Sequence, residues 1–285
     1  MNVDYLVYDV FTETTFGGNP LAVIPDATGL TEAQLLPITR EFGFSETTFV
    51  YPPETPEGTA KVRIFTPGQE MPFAGHPTIG TALALSDMGR AGAEMVLELG
   101  VGPIPVTISE GRARFTTRVP LSIGDGLSAE TVARMTGLDA NAVRTDRHTP
   151  ISAGVGNSFF VAELTDADAL ARAAPVIDVF REVSGPEITR VGLLIYLRDG
   201  SAIRARMFAP LHGINEDPAT GSAAAALAAW LGKLDGVSQD FRITQGVEMG
   251  RPSLIEASVT VEAGAPVAVS VGGSAVKVME GRLTL

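Results

Sequence analysis

Residues 221–231 read Gly-Ser-Ala-Ala-Ala-Ala-Leu-Ala-Ala-Trp-Leu, and residues 75–85 read Gly-His-Pro-Thr-Ile-Gly-Thr-Ala-Leu-Ala-Leu. The helical parts, Ser222–Leu231 and Pro77–Leu85, carry no charge on any face. A helix that is apolar all round is expected to be buried all round. In a chain of this size, that points to a helix running through the middle of a curled sheet. An ordinary core helix accounts for the composition equally well. It does not account for how each helix begins.

Working outward from these helices, the two halves of the chain repeat one another. Phe16-Gly17-Gly18-Asn19-Pro20-Leu21-Ala22-Val23 parallels Val155-Gly156-Asn157-Ser158-Phe159-Phe160-Val161 at an offset of 138. Arg63-Ile64-Phe65-Thr66-Pro67 parallels Arg206-Met207-Phe208-Ala209-Pro210 at 143. Glu70 with Ala74-Gly75-His76 parallels Glu216 with Thr220-Gly221-Ser222 at 146. Three matches in one order with slowly growing offsets are the signature of a duplicated domain, whereas any single one would be noise. Strand-like runs include Asp4–Val10, Leu21–Ile24, Thr47–Val50, Lys61–Phe65, Met95–Leu99 and Val106–Ile108. The second half adds Ser158–Glu163, Gly192–Leu197, Ala202–Met207, Phe241–Gln245, Leu254–Val261 and Pro266–Val271. Further helices are expected after Thr31, Ser128 and Thr165 or Asp166, the first interrupted by Pro37. The expected class is α+β. Two pseudo-symmetric domains, 1–120 with 266–285 and 121–265, would each wrap a curved, barrel-like mixed sheet around a central buried helix.

Composition narrows the chemistry. The 285 residues sit near twice a domain of roughly 150. Cysteine is absent, which removes disulfides, a thiolate nucleophile and Cys-ligated metal. The net charge of −12 disfavours nucleic acid and anionic membrane surfaces. The longest uncharged stretch, Met71–Ser86, has 16 residues with His76, two Pro and two Gly, short of a spanning helix. The opening residues carry Asp4 and Asp9 where a secretory signal has basic ones, so a soluble cytoplasmic protein is expected. No Walker A, dinucleotide fingerprint, HExxH or G-x-S-x-G pattern is present; neither a cofactor nor a metal is expected.

The helix starts then carry the chemistry. Unpaired N–H groups and a partial positive charge suit a helix N-terminus to a carboxylate. Gly75-His76 and Gly221-Ser222 each place a backbone without a Cβ at such a start. Capping by Ser222 and local side chains is the alternative use of those donors. Ionisable residues gather nearby: His76 at one start, and Glu216-Asp217-Pro218 before the other. Glu46 opens an apolar strand, while the matching segment around Val191-Gly192-Leu193-Leu194 has no acid. One unmatched acid on a twofold scaffold suggests a single site. Taken alone, Glu46 would read as an exposed strand end.

Five segments together resemble the phenazine biosynthesis PhzF family. They are Phe-Gly-Gly-Asn-Pro-Leu-Ala-Val (16–23), Ser-Glu-Thr-Thr-Phe-Val (45–50), Phe-Ala-Gly-His-Pro-Thr-Ile-Gly (73–80), Glu-Asp-Pro-Ala-Thr-Gly-Ser-Ala (216–223) and Gln-Gly-Val-Glu-Met-Gly-Arg-Pro-Ser (245–253). The resemblance implies a diaminopimelate-epimerase-like architecture with the site in the cleft, and a homodimer. In the superfamily's two-cysteine epimerases a Cys precedes the Gly at each helix start; here those positions are Ala74 and Thr220, so that chemistry cannot run. The resemblance instead assigns acid/base work to Glu46, with His76, Asp217 and Ser222 around the reacting part of the substrate.

The implied reaction is a cofactor-independent isomerisation of a small anionic carboxylate, a proton shift that moves a double bond. Gly75, His76, Gly221, Ser222 and Asn19 would bind the substrate. Glu46, His76 and Asp217 would act on it, with His76 and Asp217 paired to orient or relay. Desolvation on closing the cleft would bring the Glu46 carboxyl toward the working pH. A Cys-independent racemase or epimerase of an amino or hydroxy acid is one alternative. A non-catalytic anionic-metabolite-binding protein on the same scaffold is the other.

Overall fold

In a computed structural model describing residues 2–184 and 192–285, strands alternate between antiparallel and parallel neighbours. Parallel neighbours need a crossover, and in each half one crossover is the apolar helix. The chain divides into two compact units, Met1–Thr116 with Val271–Leu285 and Thr117–Ser270.

The first unit contains β1 (Asn2–Val10), β2 (Asn19–Ile24), α1 (Glu32–Phe42), β3 (Glu46–Tyr51), β4 (Ala60–Phe65), β5 (Glu70–Met71), α2 (Gly75–Asp87), β6 (Glu94–Leu99), β7 (Gly102–Ser109) and β8 (Arg112–Thr117). The second contains β9 (Ser122–Gly124), α3 (Ala129–Thr136), β10 (Ile151–Val155), β11 (Asn157–Glu163), α4 (Ala167–Arg172), α5 (Ile177–Ser184), β12 (Leu193–Asp199), β13 (Ala202–Ala209), β14 (Ile214–Asp217), α6 (Gly221–Asp235), β15 (Gln239–Gln245) and β16 (Ser253–Glu262). The last strand, β17 (Ala265–Thr284), contributes its first residues to the second unit and the remainder to the first.

In the first unit β1 pairs antiparallel with β2, β2 parallel with β3, β3 antiparallel with β4, β4 parallel with β6, and β6 antiparallel with β7. Pairing of β7 with β8, β8 with β17, and β17 with β1 closes the ring at eight strands. The second unit repeats the succession. Its pairs are β10–β11 antiparallel, β11–β12 parallel, β12–β13 antiparallel, β13–β15 parallel and β15–β16 antiparallel. The offsets of 138 and 143 are met in register: Val23 faces Thr48, which faces Ile64, as Val161 faces Leu194, which faces Met207.

Helix α2 packs on β1, β2, β3, β6 and β7, and α6 on β10, β11, β15 and β16. Residues 75–85 of α2 are buried without exception; in α6, only Ser222 and Trp230 among residues 221–232 are partly exposed. Small residues let the sheet approach this closely. A Cβ on Gly80 would come within 2.6 Å of Leu21 and Val10 side-chain carbons, and one on Gly232 within 2.7 Å of Val259 Cγ1. The α+β class with a central buried helix in each unit is therefore observed.

Two readings need correction. Helix α1 runs through Pro37. Proline removes one backbone donor, but burial of Leu35, Ile38 and Thr39 holds the turn, and the Gln34 side chain accepts from the Thr31 N–H at 2.9 Å. The final strand does not stop at Val271 but continues to Thr284, pairing with all of β1. Its outer face carries Lys277, Glu280 and Arg282, which hides the strand period. Val191, in the segment matched to Glu46, lies outside the described residues; Ser128 and Asp166 cap α3 and α4 through their side chains.

Candidate active site

The parallel register of β2 and β3 sets Leu21 against Glu46, so the segments leading into both strands run side by side. Ser45 Oγ donates to Asn19 Oδ1 at 3.1 Å, and Asn19 is fully buried. The turn before Asn19 is tight. Phe16, at φ 68°, has its N–H held by Asp9 Oδ2 at 2.6 Å. Gly18, at φ 61°, lies so near the Val10 carbonyl that a Cβ would sit 2.3 Å from its oxygen. The signature at 16–23 is thus a fixed platform beside the start of β3.

His76, the second residue of α2, points into this platform. Its Nδ1 lies 3.4 Å from Glu46 Oε2, with the two side chains only 5% and 16% exposed. Burial pushes the imidazole well below its usual 6.5, to about 3, although the Pro20 carbonyl accepts a ring hydrogen bond and works in the opposite direction. At neutral pH the ring is uncharged, so its contact with Glu46 is not an ion pair. Nε2 is buried and has no protein hydrogen-bond partner. The Pro20 bond therefore uses the Nδ1 proton, and a neutral ring with that tautomer offers Nε2 as an acceptor.

The start of α2 is open. Its N-cap is Ala74, which has no group to cap with, and its first turn has no acid. The start of α6 is equally uncapped although its N-cap is Thr220, a residue type suited to the task. The Thr220 side chain makes no capping hydrogen bond to the first turn of α6. Thr220 Oγ1 instead donates to Asp217 Oδ2. Gln245 Nε2 donates to the Asp217 carbonyl at 2.7 Å and to Thr220 Oγ1 at 3.2 Å. Gln245 Oε1 accepts from the Thr220 N–H at 3.3 Å. Gly246, at φ 76°, follows so tightly that a Cβ would come within 2.6 Å of the Pro218 carbonyl oxygen.

Glu216, beside Asp217, forms a two-pronged pair with Arg206 at 2.8 Å through both prongs. Arg63 and Glu70 form the same pair at 2.7 and 2.6 Å. Arg63 lies over Phe65 and Arg206 over Phe208, each with 5.0 Å to the ring centroid. The repeated Arg and Glu of the sequence are thus struts holding the hairpin that leads into each central helix.

Of the residues singled out from sequence, Asn19, Glu46, Gly75 and His76 lie in the first unit, with Glu46 and His76 in contact. Asp217, Gly221 and Ser222 lie in the second. His148 is a core residue, its ring bonded to Tyr196 Oη and the Thr149 carbonyl at 2.8 Å each. Sequence reasoning assigned no part to Ser45, the Pro20 carbonyl, Thr220 or Gln245, though each lies in or beside a quoted signature. Among the described residues no group of three or more His, Asp or Glu could hold a metal ion, and no helix is long and apolar enough to cross a membrane.

The chain is similar to known proteins over its whole length. An uncharacterized isomerase of Mesorhizobium japonicum is 37% identical, with 98% of each chain covered. The trans-2,3-dihydro-3-hydroxyanthranilate isomerase of Pseudomonas aeruginosa is 34% identical, with 99% of each covered. The crystal structure of a Bacillus anthracis phenazine biosynthesis protein of the PhzF family superposes with a TM-score of 0.89 at 25% identity, covering 100% of both chains. The PhzC-PhzF model, described as phenazine biosynthesis-like protein, matches residues 8–281. With the signatures, the repeated strand succession and this match in agreement, the chain belongs to the PhzC-PhzF family.

Proposed function

We propose that this protein is a cofactor-independent isomerase that shifts a double bond in a small carboxylate-bearing metabolite by general acid/base proton transfer. The observation that carries the reading is the contact of Glu46 with a buried, neutral imidazole at an uncapped helix start. Glu46 removes a proton from the carbon beside the unsaturated system and returns one elsewhere on it. A positioned base of this kind contributes roughly 10²–10⁴-fold. The N–H groups at the start of α2 donate to the substrate carboxylate. His76 Nε2 accepts from a substrate hydroxyl or amino group, which recovers the roughly 1–3 kcal/mol that an unsatisfied buried polar atom costs. Asp217 and Ser222 are assigned to the reacting part of the substrate on the family resemblance. The same reading makes the protein a cytoplasmic homodimer.

The test uses trans-2,3-dihydro-3-hydroxyanthranilate, the compound named for the P. aeruginosa relative, in D₂O with mass-spectrometric detection. Binding of aromatic 3-hydroxyanthranilate, which cannot undergo the shift, is followed by calorimetry. Deuterium incorporation that Glu46→Gln abolishes while analogue binding persists supports the proposal. Retained turnover in Glu46→Gln removes that residue from its role. Exchange confined to the α-carbon of an amino or hydroxy acid, with loss of optical activity, favours a racemase. Binding without exchange of any proton favours a binding protein.

A further inference from the structure

The N-cap of α6 poses a question that the family resemblance leaves unanswered. Threonine at an N-cap ordinarily turns its oxygen onto an N–H of the first helical turn, as Ser128 does toward the Thr131 N–H at 3.1 Å and Asp166 toward the Ala169 N–H at 2.8 Å. Thr220 does not. Its hydroxyl proton goes to the Asp217 carboxylate.

Gln245 explains the departure. It is the last residue of β15, 2% exposed, and fixed by pairing with Ser253 on one side and Ala205 on the other. From this rigid position its amide meets the 217–220 turn at three points, the Asp217 carbonyl, the Thr220 N–H and Thr220 Oγ1. Donation into Oγ1 fills one of its two lone pairs, and together with the hydroxyl proton on Asp217 it fixes the Thr220 side chain in an orientation that does not cap the first turn of α6. An amide is the side chain that can do this, because it presents a donor and an acceptor side by side. Leucine offers neither, and glutamate cannot donate when ionised. The close approach of Gly246 to Pro218 holds the turn against the end of the strand.

We propose that Gln245 is a positioning residue that keeps the Thr220 hydroxyl on the Asp217 carboxylate and off the first turn of α6, so that one arrangement fixes the acid and leaves the helix N–H groups open. The proposal rests on the reading of Asp217 as part of the catalytic site. Gln245 itself does not touch substrate; it acts through Thr220. Its loss therefore lowers kcat more than it alters KM, and the loss is shared with Thr220 rather than added to it.

The experiment compares Gln245→Leu, Thr220→Val, their double variant, Thr220→Ser and Asp217→Asn in the full chain. Turnover is measured with trans-2,3-dihydro-3-hydroxyanthranilate, binding with 3-hydroxyanthranilate, and a crystal structure of Gln245→Leu is determined. The expected result is a ten- to hundredfold fall in kcat for Gln245→Leu and for Thr220→Val, with the analogue Kd within about threefold. The double variant is no worse than the weaker single, because both break one chain of hydrogen bonds. Thr220→Ser restores turnover relative to Thr220→Val, and Asp217 leaves Thr220 in the variant crystal. Wild-type kcat in both single variants beside an inactive Asp217→Asn overturns the role of Gln245 while sparing the site. An active Asp217→Asn overturns the reading beneath it. Should Gln245→Leu fail to fold, the Thr220 valine and serine pair decides. Should the probe not turn over, an unchanged Asp217–Thr220 bond in the Gln245→Leu crystal refutes the proposal.

Discussion

Replacing His76 with leucine removes a buried, neutral titratable group, and its effect on stability depends on pH in a way that reports the charge of the ring. Burial holds the folded imidazole at about 3, against 6.5 when exposed. A group that the fold keeps neutral contributes most above its unfolded pKa and loses that contribution as pH falls toward the folded one, because only the unfolded chain takes up the proton. At pH 4 the unfolded ring lies 6.5 − 4 = 2.5 pH units below its midpoint, while the folded ring is still about nine-tenths neutral. At about 1.4 kcal/mol per unit, and after subtracting the small part already present at pH 7, the wild type loses about 3 kcal/mol between pH 7 and pH 4 from this residue. By pH 5.5 about 1 kcal/mol is already gone.

Urea titrations of wild type and His76→Leu at pH 7, 5.5 and 4 isolate the term. His148 is also held low by burial, and its contribution is common to both proteins and cancels in the difference. The stability gap between variant and wild type should move toward the variant as pH falls. A pH-independent gap refutes the buried neutral ring. A gap that moves toward the wild type shows instead an imidazolium paired with Glu46, which would withdraw Nε2 as an acceptor and with it the proposed contact to substrate.

Two further outcomes follow from packing and charge. Gly232→Ala gains roughly 1 kcal/mol of helix propensity but drives a methyl to 2.7 Å from the stiff Val259 side chain, an overpacking worth about 1–3 kcal/mol. Thermal denaturation should show a net loss that becomes neutral or a gain in a Val259→Ala background, and a gain in the wild-type background refutes the close approach. Arg206→Met should cost about 3–5 kcal/mol, since it strands Glu216, whose side chain is only 14% exposed, and also frees the Leu170 and Ala173 carbonyls. Arg63→Met should cost about 1 kcal/mol or less, because Glu32 and Glu70 are 71% and 43% exposed. Equal losses by chemical denaturation would show that the two struts are not distinguished by burial.

The central helices were legible because burial is written into composition: a run of Ala and Leu without charge has no face to give to water. The repeat was legible for a related reason. Its Arg, Glu and Gly positions serve local geometry that both copies must meet, the strut into the hairpin and the open start of the helix. The long final strand was not legible, since Lys277, Glu280 and Arg282 on an outward face leave no apolar period to read. Pro37 misled for the opposite reason, because tertiary burial of one helix face outweighed a single missing backbone bond.

At the site, the sequence by itself determined which groups are present. Glu46 has no acidic counterpart, His76 follows a glycine, and neither helix start has a cysteine. These are covalent facts, and they exclude thiolate chemistry without coordinates. Only the tertiary structure decided their state. The imidazole is neutral because the packing around it removes water, and its tautomer follows from the Pro20 carbonyl that the packing of α2 on β2 brings to it. The Thr220 hydroxyl serves an acid rather than a helix because a glutamine 25 residues onward reaches it. Desolvation and hydrogen-bond direction arise from neighbours distant in sequence, so linear spacing cannot encode them.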